Sequence, residues 1–196
     1  MKQLLFPSLT FCLLSFGLLL GHVHAQDSAR ALPRPEDVKS IDSIIAAVYD
    51  VISGPSGQKR DWDRMHSLFA PGARLMPTAA VRPQGTPPDA APTGDETFAT
   101  TVVDVDGYVA RAGKYLEEHG FFERETARRV ETYGHIAHVW STYEARHKAD
   151  DAKPFMRGIN SIQLMNDGKR WWVVSIFWEA ETPRTPLPGK YLKSGE

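Results

Sequence analysis

From residue 121 to residue 181 apolar side chains recur at every second position, and that period confines the second half of the chain to β-sheet. Four runs, 122–132, 136–147, 155–166 and 169–181, read as antiparallel strands. Between the last two, Asn166-Asp167-Gly168-Lys169 is a tight hairpin signal with Asp-Gly as its central pair. The stretch GKRWWVVSIFWEAE at 168–181 sets Trp172, Val174, Ile176 and Trp178 on one side of its strand. Trp171, Val173, Ser175 and Phe177 take the other side. Both sets are mostly apolar, so each needs cover.

A two-residue turn predicts a register. Leu164 faces Trp171, Ile162 faces Val173, Asn160 faces Ser175 and Gly158 faces Phe177; Gln163, Ser161, Ile159 and Arg157 face Trp172, Val174, Ile176 and Trp178. Across the longer loop around Asp150 and Pro154, Trp140 falls near Ile162, Thr142 near Asn160 and Glu144 near Gly158. One face then holds His138, Trp140, Thr142, Glu144, Asn160, Ser175 and Phe177. The other holds Val139, Tyr143, Ile159, Trp172, Val174, Ile176 and Trp178. A slip of one residue exchanges these sets. The first mixes aromatic rings with a few hydrogen-bonding groups, as the wall of a ligand cavity does. The second is drier and predicts cover by another surface, most simply a second copy of the chain. Each large side chain left in water there forfeits about 1.5–3 kcal/mol.

The first half carries a helical period. Val38, Ile41, Ile44, Ile45, Val48 and Ile52 are spaced by threes and fours, with Pro35 at a first helical position and Gly54-Pro55 as a stop. Asp61 caps a short second helix carrying Trp62, Met65, Leu68 and Phe69, which Pro71-Gly72 ends; residues 73–76 form a short strand. Residues 77–95, rich in Pro, Ala, Thr and Gly, read as a long loop, either a functional lid or an idle insertion. Residues 98–103 are β-prone. Asp104 or Asp106 caps a third helix, with Val105, Tyr108, Val109, Ala112, Tyr115 and Leu116 on one side and Gly120 at its close. Residues 26–35 read as a flexible lead-in, 36–182 as one domain and 183–196 as an irregular tail.

Residues 1–25 have the form of a cleaved export signal. Lys2 precedes an apolar run from Leu4 to Leu20, and Val23-His24-Ala25 supplies small residues before the polar Gln26. The rival is an uncleaved anchor, for which the run is near the lower length limit. Cleavage after Ala25 predicts a periplasmic or secreted protein with no membrane attachment. The only cysteine, Cys12, leaves with the signal, so a disulfide, a thiol nucleophile and a thiolate metal site are excluded. The 23 Lys and Arg, less Lys2, leave 22 against 24 Asp and Glu, a formal charge of −2. Arg124, Arg128 and Arg129 are interleaved with Glu123, Glu125 and Glu131, which gives nucleic acid no basic footprint.

Helix, short helix, long loop, helix and curved antiparallel sheet resemble the nuclear transport factor 2-like superfamily, which includes SnoaL-like cyclases and ketosteroid isomerases. The resemblance is sharpest at Gly134-His135-Ile136-Ala137-His138-Val139, Arg157-Gly158-Ile159-Asn160-Ser161-Ile162 and Asp167-Gly168-Lys169-Arg170-Trp171-Trp172, and covers most of residues 38–181. It implies a cone-shaped α+β fold with a curved antiparallel sheet wrapped around the N-terminal helices and a pocket between them. It also implies frequent dimerisation through the sheet's other face, here the one with Tyr143, Trp172 and Trp178. An isomerase-like member needs a pocket carboxylate, for which Asp63, Glu144 and Glu179 are best placed, and a donor such as Tyr49, Tyr108 or Tyr115.

Trp62, Tyr108, Tyr115, Trp140, Thr142, Asn160, Ser175 and Phe177 are the expected ligand-binding residues. His66 is a base in reach of the pocket or a helix-surface residue. Glu144 is a base with raised pKa or an ion-pair partner of Arg157 or Arg146. Asn160 and Ser175 orient a ligand or satisfy each other, and Trp140 and Phe177 stack on a ring or fill the core. His135 and His138, three apart in a strand, face opposite sides and cannot share a metal. No cofactor motif is present. Three functions remain: an exported dimeric protein binding a small, largely apolar molecule; an isomerase, dehydratase or cyclase-type enzyme using a pocket carboxylate or His66; and a protein-interaction module.

Overall fold

A computed structural model describes residues 31–82, 85–86 and 95–195. The expected export signal and most of the 77–95 loop lie outside the described residues. The first helical run is broken in two, α1 (Pro35–Val38) and α2 (Ile41–Ile52), because the Ser40 side chain caps α2 by accepting from the Ser43 N–H at 3.1 Å. Asp61 caps α3 (Trp62–Leu68) through the Arg64 N–H at 2.9 Å and also pairs with Arg34 at 3.0 Å. The end of the supposed lead-in is therefore pinned to α3. Phe69, expected on that helix, instead opens β1 (Phe69–Ala80), which is much longer than 73–76 and takes in the start of the expected loop. Then come β2 (Phe98–Thr100), α4 (Val105–His119) capped by Asp104, β3 (Phe122–Tyr133), β4 (Ile136–Arg146), β5 (Met156–Asn166) and β6 (Trp171–Ala180).

The strands form one curved sheet in the order β2-β1-β6-β5-β4-β3, antiparallel throughout except for the parallel β1–β6 pair. The helices lie on its concave side. There Ile44, Ile45, Val48 and Val51 of α2 meet Val139, Ile162, Leu164 and Val173, all of them buried. Each such side chain contributes about 1.5–3 kcal/mol by leaving water.

The register differs from the sequence expectation at three places. The hairpin loop has four residues, because the Asp167 carboxylate accepts the Lys169 and Arg170 amides at 2.8 Å each; Asn166 thus faces Trp171 and Leu164 faces Val173. One residue further on, Val174 bulges out of the ladder, so that Gln163 faces Ser175, Ile162 faces Ile176 and Asn160 faces Trp178. Between β4 and β5 the pairing is displaced by one residue, with Val139 opposite Ile162, Ser141 opposite Asn160 and Tyr143 opposite Gly158. Packing decides that displacement. It buries Ala137, Val139, Ser141, Tyr143 and Ala145 together, whereas the expected register buries the bulky even-numbered set.

The faces exchange accordingly. Val139, Ser141, Tyr143, Asn160, Ile176 and Trp178 point at the helices, and Tyr108 meets Trp178 edge-on at 6.4 Å. His138, Trp140, Thr142, Glu144, Ser175 and Phe177 stand on the convex side. That side is partly covered by the chain's own C-terminal segment. Thr142 Oγ1 donates to the Tyr191 carbonyl at 2.6 Å, the Tyr191 ring lies 5.5 Å from Trp140, and the Gly195 N–H donates to the Arg128 carbonyl at 3.0 Å. The tail is irregular save for a 3-10 turn (Gly189–Tyr191), yet docked.

Gly158 is where two strands and a ring crowd together. A Cβ there would press into the Glu179 carbonyl and lie 2.5 Å from the Tyr143 hydroxyl oxygen. Gly158→Ala is expected to cost about 1–3 kcal/mol, as overpacking does. Chemical denaturation measures it, and an unchanged midpoint would disprove the close approach.

Candidate functional site

The concave face gathers polar groups that strand alternation brings together around α2. Glu123 and Glu125 on β3 are two apart, Arg128 follows after a bulge at Thr126, and all three share the side of Ser141 and Tyr143. Tyr49, one turn before the end of α2, reaches down among them. Its hydroxyl lies 2.6 Å from Ser141 Oγ and accepts from Asn160 Nδ2 at 3.0 Å. Ser141 Oγ donates to Glu125 Oε1 at 2.5 Å, so the Tyr49 proton points at Ser141. Arg128 donates to Glu125 through Nε and Nη2, at 2.9 Å and 2.6 Å, and through Nη1 to Asp42. Hydrogen bonds thus join the surface Asp42 to the buried Asn160, running one way from Asn160 to Glu125 and closed at the outer end by Arg128, which donates to both carboxylates.

Glu123 lies at the inner end of this array. It is half-buried, and burial pushes its carboxyl up to about 8, against the opposing hydrogen bond from Asn160. No cation pairs with it among the described residues. Burial also raises the pKa values of Tyr49, Tyr108 and Tyr143, each with a further push from Glu123. The Tyr143 hydroxyl is buried without a hydrogen-bond partner among the described residues. A cleft of about 420 Å³ opens here between α2 and β3, walled by Ala46, Tyr49, Phe122, Glu123, Glu125 and Arg128.

Of the expected ligand-binding residues, Asn160 and Tyr108 stand on this inner side. Trp62 ties α3 to α4, donating from Nε1 to Glu117 at 3.2 Å and packing on Gly113. Tyr115 is exposed and stacks on His119 at 4.3 Å. Trp140, Thr142, Ser175 and Phe177 are on the convex side, so Asn160 and Ser175 do not meet. His66 pairs at 3.1 Å with Asp106 at the start of α4. Glu144 is held below the usual carboxylate range by Arg146 and then by Arg124, at 2.5 Å and 2.6 Å. It is an ion-pair residue, not a base with raised pKa. Glu123, Glu125, Arg128 and Ser141 carried no sequence signal beyond their alternation, which reads as solvated charge until α2 is laid across them.

No protein-family model matches the chain, and neither does any curated protein sequence. Among solved structures, a protein of unknown function with a cystatin-like fold from Nostoc punctiforme superposes with a TM-score of 0.50. It is 12% identical, over 76% of this chain and 92% of its own. A nuclear transport factor 2-like protein of unknown function from Shewanella baltica reaches 0.46 at 12% identity, over 72% and 91%. Another such protein, from Methylobacillus flagellatus, reaches 0.37 at 15% identity, over 73% and 95%. Together with the sheet order and the helices on its concave side, the first of these likenesses decides the architecture. The chain has a cystatin-like α+β fold. Identities this low speak of fold and not of activity. In this domain the polar array lies between helices and sheet, where the sequence resemblance places a pocket.

Proposed function

We propose that this domain binds a small, largely apolar molecule between α2 and the concave sheet face, with Glu123, Tyr49 and Asn160 orienting its polar end. The observation that carries the reading is the placement of Glu123, a carboxyl group with no cationic partner among the described residues, beside buried phenols at the inner end of a cleft, where burial pushes it up to about 8. Held neutral, it is a hydrogen-bond donor in apolar surroundings, which suits a guest with a carbonyl or hydroxyl on an apolar body. The reading includes export after cleavage at Ala25, and a homodimer across the part of the convex face where Trp172 and Val174 stand.

A second reading shares the site. A carboxyl with a pKa of about 8 exchanges its proton readily near neutral pH, donating from the dominant acid and accepting through the minor carboxylate, so an isomerase, dehydratase or cyclase-type reaction would use Glu123 rather than Glu144 or His66.

Thermal-shift screening of aromatic and lipid-like metabolites tests the binding. At least one is expected to raise the melting temperature of the wild type with dose. The Ala46→Trp variant, whose new ring fills the cleft from the exposed side of α2, is expected to lose the shift while melting normally on its own. Shifts that persist in Ala46→Trp would place the ligand elsewhere. Light scattering at the mass of one protomer would remove the dimer.

A further inference from the structure

The convex face holds a second cleft, of about 520 Å³, between the sheet and the C-terminal segment. Its floor is Trp140, Ile159 and Phe177, its roof includes Leu187, and Glu179 and Arg184 stand at its sides. Size and apolar walls match those of small-molecule sites. The charges decide what kind of molecule fits. Arg184 is paired with Glu96 at 2.9 Å. Glu181 is taken by Arg157 at 3.2 Å and by the Leu187 N–H at 3.0 Å. Glu179, half-buried, has no ion pair or hydrogen bond to its side chain among the described residues. What remains over an aromatic floor is one unmatched carboxylate.

From this arrangement we infer that the cleft is a binding site for an organic cation, an ammonium group carried on a small apolar body. The aromatic floor attracts a cation, most strongly where water is excluded: the Phe177 ring is exposed, and Trp140 adds the strongest of the aromatic quadrupoles with the His138 and Tyr191 rings packed beside it at 4.8 Å and 5.5 Å. Glu179 supplies the counter-charge. A neutral apolar guest would strip water from Glu179 and return nothing, and an anion would be repelled. Ile159 and Leu187 take the apolar body, and a trimethylammonium group, with its weakly held water, loses least on entry. The site is separate from the cleft at Glu123, on the other side of the sheet.

Choline and its uncharged carbon isostere, 3,3-dimethyl-1-butanol, are the probes, titrated against the full chain by calorimetry and by the Trp140 indole signal in NMR. Choline is expected to saturate and to bind about tenfold or more tighter than the isostere. Glu179→Gln keeps the shape and is expected to weaken choline at least about fivefold while leaving the isostere unchanged. Trp140→Leu should weaken choline as well, and Glu123→Gln should leave it unaltered. Equal affinities for the two probes, no saturation of the wild type up to about 10 mM choline, or choline binding indifferent to Glu179→Gln would each overturn the assignment.

Discussion

Arg60→Ala is expected to lower the unfolding free energy by about 3–5 kcal/mol, the largest loss of any single replacement proposed for this chain. Arg60 is only 7% exposed, and its guanidinium forms no ion pair among the described residues; Glu117 accepts its backbone N–H at 3.2 Å and eases the charge from nearby, but the side chain's hydrogen-bond partners are carbonyls. The guanidinium donates to Ile52 O at 3.0 Å, to Gly54 O at 2.7 Å, to Leu116 O at 2.8 Å and to Gln58 O at 2.5 Å. One side chain therefore joins the C-terminal end of α2 to that of α4, where orphan carbonyls and the negative ends of both helix dipoles meet. Truncation takes the side-chain donor from the carbonyls of the buried Ile52 and Leu116, while the Gly54 carbonyl keeps the Phe121 N–H at 3.0 Å. Gly54 permits the approach, since a Cβ there would lie 2.7 Å from Arg60 Nη1. Arg60→Lys, with a point charge in place of a fork, should recover less than half of the loss. Urea denaturation measures both; an alanine variant within 1 kcal/mol of wild type would show that the helix ends hold without the clamp.

Glu123→Gln is expected to stabilise the protein, and increasingly so as the pH rises. The carboxyl has a pKa of about 8 when folded, against about 4.3 in an unfolded chain. Between those values the folded state holds the proton that the unfolded state has released, so wild-type stability falls as pH rises through that window. Below it both states are protonated and nothing is lost; above about pH 8 the full cost is present. The amide copies the neutral acid and does not titrate. With each tenfold change in proton affinity worth about 1.4 kcal/mol, and some relief from the group's partial exposure, the gain should be on the order of 2–4 kcal/mol at pH 9. At pH 5 it should be about 1 kcal/mol or less. Denaturation at pH 5, 7 and 9 is the test. A gain that does not grow with pH would mean that Glu123 is charged in the folded protein.

The elements of this fold can be read from its letters, and their alignment cannot. Spacing alone places Ile44, Ile45, Val48 and Ile52 on the buried side of α2, Asp61 announces its helix as a cap, and of Asp104 and Asp106, which the sequence leaves open, Asp104 caps α4. Pro71-Gly72 looks like a helix stop, but the helix has already ended at Leu68 and the pair sits within β1. The α+β class follows from the change of period near residue 121. Register is a different matter, because it depends on single residues that local chemistry adds or withholds. Asp167 turns a two-residue hairpin into a four-residue one by collecting two amides. The loop between β4 and β5 is long enough that only burial of Tyr143 and Val139 settles which neighbours meet. The site suffers from the same gap. Asn160 and Tyr108 were recognisable as inner residues, but Glu123 and Glu125 look like ordinary exposed charges on an edge strand until Tyr49 comes down on them.

The bulge at Val174 marks a point where one string of letters holds two different linings. Before it, odd-numbered side chains face the helices; after it, even-numbered ones do. Slide the surplus residue to the far end of the strand and Ser175 and Phe177 move inside in place of Ile176 and Trp178, with no substitution at all. Relatives of such a domain can therefore diverge in what they hold by displacing a kink, and aligning them letter by letter would hide the change.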